Sequence, residues 1–485
     1  MELYITELSK YVITLLLALY VLEGFLVFRF NSEEKRKGIY ARQSVLLFLV
    51  HFSCFMSIVF ETENVNYLIF YVLQQLFLFG TSWLYRLVYP KGNRLIINNM
   101  CMLIAIGLIM LTRLDMTEAI KQFFIVAVSV AISMLVPFIM RNLHFLQKLT
   151  FLYAGIGILA ILVVLIMGNL TYGSNLSFSI AGITFQPSEF VKIVFVFYLA
   201  AALSKSTEFI NIVLTAIIAG IHVLILVFSN DLGSALIFFV TYVLMVFMST
   251  RNFLYLFAGA IGGCGAALFA YERFSHVRVR VQAWKDPWSV IDSAGYQISQ
   301  SLFGIGSGGL FGLGLFKGDP DAIPFVEKDF IFSAITEEMG LIFAMCVILV
   351  CLNSFIMFMN VSMRLDGEFY RLIGVGLGVT YILEVFLTIG GGAKFIPLTG
   401  VTLPLISYGG SSMLATVLMF SIIEGLYMVK RDEIRLALKR KQLEEDGYTE
   451  DDDDESYEDD EDLYEDEEDE EDDIDEDMDI IDLDD

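Results

Sequence analysis

The sequence predicts an all-α polytopic membrane protein of about 13 transmembrane helices, followed by a disordered acidic tail. Three observations carry this: an apolar composition, thirteen apolar stretches of membrane-spanning length, and an alternation of positive charge between successive loops. Of the 485 residues, 56% are hydrophobic, 14% aromatic and only 18% charged, and the mean hydropathy of +0.67 exceeds what the surface of a soluble domain tolerates.

A hydrocarbon core of about 30 Å takes about 20 helical residues. Apolar stretches of that order lie near 11–30, 44–61, 66–86, 95–113, 118–140, 148–168, 188–204, 207–228, 231–249, 252–271, 330–359, 369–390 and 405–429. The first runs into Phe28-Arg29-Phe30 without a small-residue cleavage site, so a retained helix is expected and not a signal peptide. Lys and Arg gather in alternate loops: Lys35, Arg36, Lys37 and Arg42, then Lys91 and Arg94, Arg141 and Lys148, Arg364 and Arg371. Short positive loops stay in the cytoplasm, which predicts the N-terminus outside and the C-terminus inside.

The formal net charge of −26 is misleading, because residues 444–485 hold 30 Asp and Glu and no Lys or Arg, leaving 27 acidic against 31 basic residues elsewhere. Residues 431–443 form a basic amphipathic juxtamembrane segment suited to an anionic inner leaflet. Residues 444–485 are too polar and self-repelling to fold, and are expected to be a disordered cytoplasmic tail, either solvating or a docking site for a basic partner. The five cysteines form no CxxC or Cys/His cluster and the four histidines are scattered, so a disulfide framework, a zinc site and a Ser/His hydrolase are all unsupported. The membrane is the expected environment, with no nucleic-acid partner.

Chemistry is expected in the long external loop 272–329 and the segments around it. In the seventh span, Glu189 and Lys192 stand three residues apart on one helical face. They are either a polar cavity wall that orients a substrate or an ion pair that fixes helix packing. Asn230 or Asp231 opens the ninth span as a helix cap or a substrate contact. The stretch from Arg278 to Trp288, with Arg280, Trp284 and Lys285, alternates cations with apolar residues. It suits either holding a diphosphate head group or anchoring the loop at the interface. Gly304 to Gly309 formally spells GxGxxG, but no strand precedes it, so tight backbone packing or a hinge is expected and not a dinucleotide site. Asp329 precedes the eleventh span, either as an N-cap or as a general base. Lys394, in the breaker-rich loop before the last span, is available to an anion.

Six blocks in order, AIKQ, QPSEFVKI, DLGSA, GYQISQSLFGIGSGGLFGLG, DFIFSAITEEMG and PLTGVTLPLISYGGSS, resemble the SEDS family (shape, elongation, division and sporulation) of bacterial cell-wall glycan polymerases. The resemblance covers about residues 95–430. It implies a SEDS-like ten-helix core at 95–430, three extra N-terminal helices at 1–94, and a multi-pass protein of the bacterial cytoplasmic membrane. It further implies a peptidoglycan glycosyltransferase that joins lipid II, as donor and acceptor, with inversion, working with a class B penicillin-binding protein in elongation, division or sporulation. A lipid II transporter or a non-enzymatic scaffold of a cell-wall complex is the alternative. Carried over by motif, Asp329 becomes the catalytic carboxylate and Glu189 and Lys192 part of the cavity wall. Arg278, Arg280, Lys285 and Lys394 are candidates for stabilising the leaving diphosphate, with a divalent cation (Mg or Mn) as an optional helper. Two departures stand out: Ser229-Asn230 replaces the family's usual Gln-Pro before Asp-Leu-Gly, and Phe325 to Asp329 departs from the usual Pro-Glu-x-His-x-Asp.

Overall fold

A computed structural model describes residues 2–30, 32–167, 169–171, 174–180 and 183–445. The expected acidic tail lies outside the described residues beyond Glu445. Sixteen helices are described: α1 (Glu2–Leu26), α2 (Glu33–Thr62), α3 (Val65–Val88), α4 (Arg94–Leu114), α5 (Met116–Ser133), α6 (Val136–Asn142), α7 (Thr150–Met167), α8 (Ser188–Leu203), α9 (Phe209–Phe228), α10 (Leu232–Thr250), α11 (Phe253–Arg273), α12 (Ser275–Lys285), α13 (Tyr296–Gly308), α14 (Ile331–Met363), α15 (Glu368–Gly392) and α16 (Gly410–Glu445). Between α7 and α8 the backbone forms a three-stranded antiparallel sheet, β1 (Asn169–Thr171), β2 (Ser174–Ile180) and β3 (Ile183–Phe185). Hydropathy gave no sign of it.

Eleven helices among the described residues are long and apolar enough to cross a membrane, with α5 and α6 counted as one span, Met116–Asn142. Helices also stand at the other two expected positions, but α7 has 18 residues and α8 only 16. Eleven spans are therefore supported by length, and the full thirteen are not. The basic segment 431–443 continues the last span as part of α16.

Helix starts follow local chemistry. Asn64, Asn93, Asp115, Asp231 and Asn252 each precede an apolar run, and each side chain accepts a backbone N–H of the first turn, satisfying donors that have no partner inside the helix. α4 is buried on every side from Leu95 to Arg113, its few polar groups included, so it forms the axis of the bundle. α2 and α3 cover one side of it, and α1 packs on α2 and α14. Buried amides meet one another there: the Tyr20 hydroxyl donates to Asn99 Oδ1 (3.0 Å), and Asn99 donates to Asn353 Oδ1 (2.7 Å). In lipid such groups have no water to turn to. α11 buries no residue and stands outermost.

α14 is interrupted. Gly340 has φ 88° and ψ 167°, dividing it into a first half, residues 331–339, and a longer second half. The first half leads directly from Asp329.

Candidate active site

At one end of the bundle a cavity of about 960 Å³ is enclosed by α5, α8, α10, α12, α13 and α15 and by the segments 324–329, 398–402 and 408–412. The loops carrying Lys91, Arg141, Lys148, Lys205 and Arg364 lie at the opposite end. Phe124 lines the cavity and is 63% exposed, so part of the lining is apolar.

Its floor is ionic. Lys192, 4% exposed, donates to Glu189 Oε2 at 2.5 Å and also to Glu384 of α15, which is 3% exposed. The predicted pair is therefore a triad of one cation between two carboxylates, and all three line the cavity. The ion pair is formed, and the same residues stand in the cavity wall. Sequence reasoning missed Glu384, although a lone carboxylate in an apolar span was itself the signal.

Asp231 caps α10 as expected, with Oδ1 accepting Ser234 N–H at 3.0 Å. It also accepts the hydroxyls of Ser234 (2.7 Å) and Ser188 (3.3 Å) and lines the cavity. Burial raises its carboxyl above the ordinary range, against the pull of these hydrogen bonds.

Residues 275–285, part of the expected external loop 272–329, form the helix α12. That corrects the set of candidate cations. At about 100° per residue, positions two apart point to nearly opposite sides, so Arg280 and Ala283 face the cavity while Arg278 and Lys285 are exposed and do not line it. Arg280 Nη1 donates to the carbonyls of Leu398 (3.3 Å) and Thr399 (3.1 Å), which fixes its guanidinium. Lys394 is half-buried behind the rim: its carbonyl accepts Trp284 Nε1–H at 3.2 Å, and its side chain is not part of the lining. Two further lysines that were not candidates, Lys121 and Lys328, do line the cavity. Of the glycines in 304–309, Gly304 and Gly308 pack tightly, a Cβ on Gly308 falling 2.1 Å from Thr336 O, whereas Gly306 and Gly309 have nothing within 4 Å.

Asp329 lies in the cavity wall. It is not the cap of α14, whose N-cap residue is Phe330 with no side-chain cap bond. One residue of register thus separates the two readings of Asp329 and leaves its carboxyl to the cavity. Burial lifts its pKa to about 6, while the charges of Arg280 and Lys328 hold it down and Glu327 pushes it up. Gly400, whose φ of 78° suits glycine, lies near both groups: a Cβ there would be in ordinary contact, 3.9 Å, with Arg280 Nη2 and Asp329 Oδ2. Burial in turn lowers the Arg280 pKa, opposed by Asp329 and Asp231. The segment is fastened from behind: Ser407 Oγ donates to Lys328 O (2.5 Å) and Tyr408 N–H to Glu327 O (2.8 Å). The cavity therefore presents a carboxyl poised near neutrality, a fixed guanidinium in the same wall, and an apolar patch at Phe124.

The family model described as "Cell cycle protein", covering FtsW, RodA and SpoVE, matches residues 93–432. This chain belongs to the FtsW/RodA/SpoVE family. Peptidoglycan glycosyltransferase RodA of Mycobacterium bovis is 31% identical over 401 residues, spanning 76% of this chain and 86% of the relative. Stage V sporulation protein E of Bacillus subtilis is 30% identical over 251 residues, 49% of this chain and 67% of the relative. Among solved structures, a chain from work on coordination of polymerization and crosslinking by a peptidoglycan synthase complex aligns with a TM-score of 0.60 at 24% identity, over 70% of this chain and 98% of that one. RodA of Thermus thermophilus aligns with a TM-score of 0.53 at 23% identity, over 71% and 98%. As an FtsW/RodA/SpoVE protein the chain is a multi-pass protein of the cytoplasmic membrane, in a family whose curated members include peptidoglycan glycosyltransferases. The family match begins just before α4 and ends within α16, with α1 to α3 outside it.

Proposed function

We propose that this chain polymerises lipid II into peptidoglycan strands on the outer face of the membrane, serving elongation, division or sporulation beside a class B penicillin-binding protein. The observation that carries the reading is Asp329: a cavity carboxyl raised to about 6, relieved of any capping role and sharing its cavity with Arg280, Lys121, Lys328 and an ionic floor. A base poised near the working pH combines the right protonation state with proton-transfer driving force.

In the proposed step, Asp329 takes the proton of the acceptor's GlcNAc 4-hydroxyl as that oxygen attacks C1 of the donor MurNAc. The C1 to phosphate-oxygen bond breaks, undecaprenyl diphosphate leaves with the electron pair, and the configuration at C1 inverts. Arg280, Lys121 and Lys328 supply positive charge where the diphosphate develops its negative charge. Glu189, Lys192 and Glu384 shape the floor. Among the described residues no three His, Cys, Asp or Glu side chains gather as metal ligands. A Mg or Mn ion would therefore draw its donors from Asp329 and the diphosphate oxygens, as Mg commonly does beside phosphates, and no step is routed through it. The gathering of basic loops at the end opposite the cavity supports an external site, with the N-terminus outside and the C-terminus in the cytoplasm.

The test is polymerisation of purified lipid II by the purified protein, with and without its penicillin-binding partner, for wild type, Asp329→Ala and Asp329→Asn. Loss of about 10²-fold or more in both variants, with folding intact, is expected. Wild-type rates in the variants would remove Asp329 from the chemistry, and no polymer from wild type under either condition would turn the reading to transport or scaffolding.

A further inference from the structure

The break in α14 is filled by a strap. Residues 309–314 run past Gly340 and splice into the helix: Leu313 and Gly314 N–H donate to Glu337 O (3.0 Å) and Glu338 O (2.8 Å), while Leu341 and Ile342 N–H donate to Gly309 O (2.9 Å) and Leu310 O (3.1 Å). Asp329 stands two residues before this interrupted helix, so the strap determines where its first half points.

The strap and the residues just after it are held from outside the family-matched region. Lys10 of α1 donates to Gly312 O (3.3 Å) and pairs with Glu7 (2.9 Å), which also faces Lys317 (3.8 Å). Tyr11 packs on Phe311 with ring centroids 4.9 Å apart, and Tyr67 of α3 meets Phe316 edge-on at 6.3 Å. Phe316 has φ 64°, a left-handed conformation that a bulky residue keeps only where its surroundings dictate it. The remaining pin is Arg113 of α4, over the Phe316 ring at 4.9 Å and bonded to Glu338 (2.7 Å), Gly318 O (3.2 Å) and Asp321 (3.2 Å).

We infer that α1 to α3 form a positioning module for Asp329: by pinning the strap they fix the break in α14, and with it the carboxylate that faces Arg280. The inference rests on the proposed base role of Asp329. A module that only shielded α4 from lipid would need no polar and aromatic contacts to the loop tip.

The test removes those contacts from the full-length protein as Lys10→Ala with Tyr67→Ala, beside the conservative pair Lys10→Arg with Tyr67→Phe. Expected are a folded protein, amide exchange at residues 325–330 faster by about tenfold, and kcat lower by about tenfold with KM for lipid II little changed. The acid limb of the pH profile should move below its wild-type position as water reaches Asp329, and the conservative pair should restore all three. Unchanged exchange at 325–330 in the alanine pair would overturn the inference. So would global unfolding that the conservative pair leaves uncorrected, because α1 to α3 would then serve stability alone. A wild type that makes no polymer would sink the proposed function, while exchange at 325–330 would still decide the module's role.

Discussion

Replacing Arg280 by Gln isolates the electrostatics of the proposed base. The Asp329 carboxyl sits near 6 because burial raises it and the Arg280 charge restrains the rise. A nearby opposite charge is worth roughly 1 to 3 pKa units, and at the low end Arg280→Gln moves Asp329 to about 7. The base must be ionised, so activity falls as pH falls. Its carboxylate fraction at pH 6 drops from about 50% to about 9%, roughly a fivefold loss, whereas at pH 8 it drops only from about 99% to about 91%. Loss of a diphosphate contact would add a pH-independent fall in the plateau. The assay is kcat/KM for fluorescent lipid II polymerisation across pH 5 to 9, roughly the range that brackets both values and reports the free enzyme's base. A wild-type limb near 4, the ordinary Asp value, or a variant limb that stays in place or moves down, would refute the reasoning.

Three further outcomes follow from the same structure. Folding raises the Asp329 pKa from 3.8 to about 6, so this group favours the folded state most below pH 4 and progressively less as pH rises through 6. Asp329→Asn should therefore be more stable than wild type at pH 7.5, by about 1–2 kcal/mol once cavity water is allowed for, and a lower melting temperature would contradict this. Lys192→Met leaves Glu189 and Glu384 facing each other without their cation and should cost about 3–5 kcal/mol, read as loss of monodisperse protein in detergent. Adding Glu384→Gln should recover much of it, and no recovery would count against the triad. Gly340→Ala meets both a φ of 88° and a Cβ only 2.3 Å from Gly312 N, so it should cost about 3 kcal/mol or more, while Gly155→Ala, with nothing within 4 Å, should be neutral by the same melting assay.

What the sequence made legible and what it hid differ by range of interaction. The bilayer forces long apolar helices, so their positions could be read from composition, and Asp231 announced its helix start locally. Asp329 and the pair Glu189 and Lys192 were visible because each places charge beside or within an apolar run. The errors came from grouping neighbours in sequence or missing a distant partner. Arg278 and Lys285 were grouped with Arg280 because all three stand in one stretch of cations alternating with apolar residues, and the helix α12 turned them away. The sheet β1 to β3 left no trace because short polar strands carry no hydropathy signal.

The partner of Lys192 across the bundle was hidden by 192 residues of chain, and the partner of Arg113 by 225. Yet a rule of charge balance brings both within reach. A charge inside lipid needs a partner, and among the described residues Arg113, in the last turn of α4, and Lys192, near the start of α8, are buried cations of the core helices. Their carboxylate partners, Glu338 and Glu384, lie in spans adjacent along the chain, α14 and α15, one near the strap and one at the cavity floor. Matching intramembrane charges before assigning any site would have drawn α4 toward α14 and α8 toward α15. Glu424 shows where the rule ends: no salt bridge to it is found among the described residues, and its carboxylate accepts Asn93 N–H at 2.6 Å. A backbone amide at a helix start can thus take the place of a cation, and that substitution is visible only once the helices are packed.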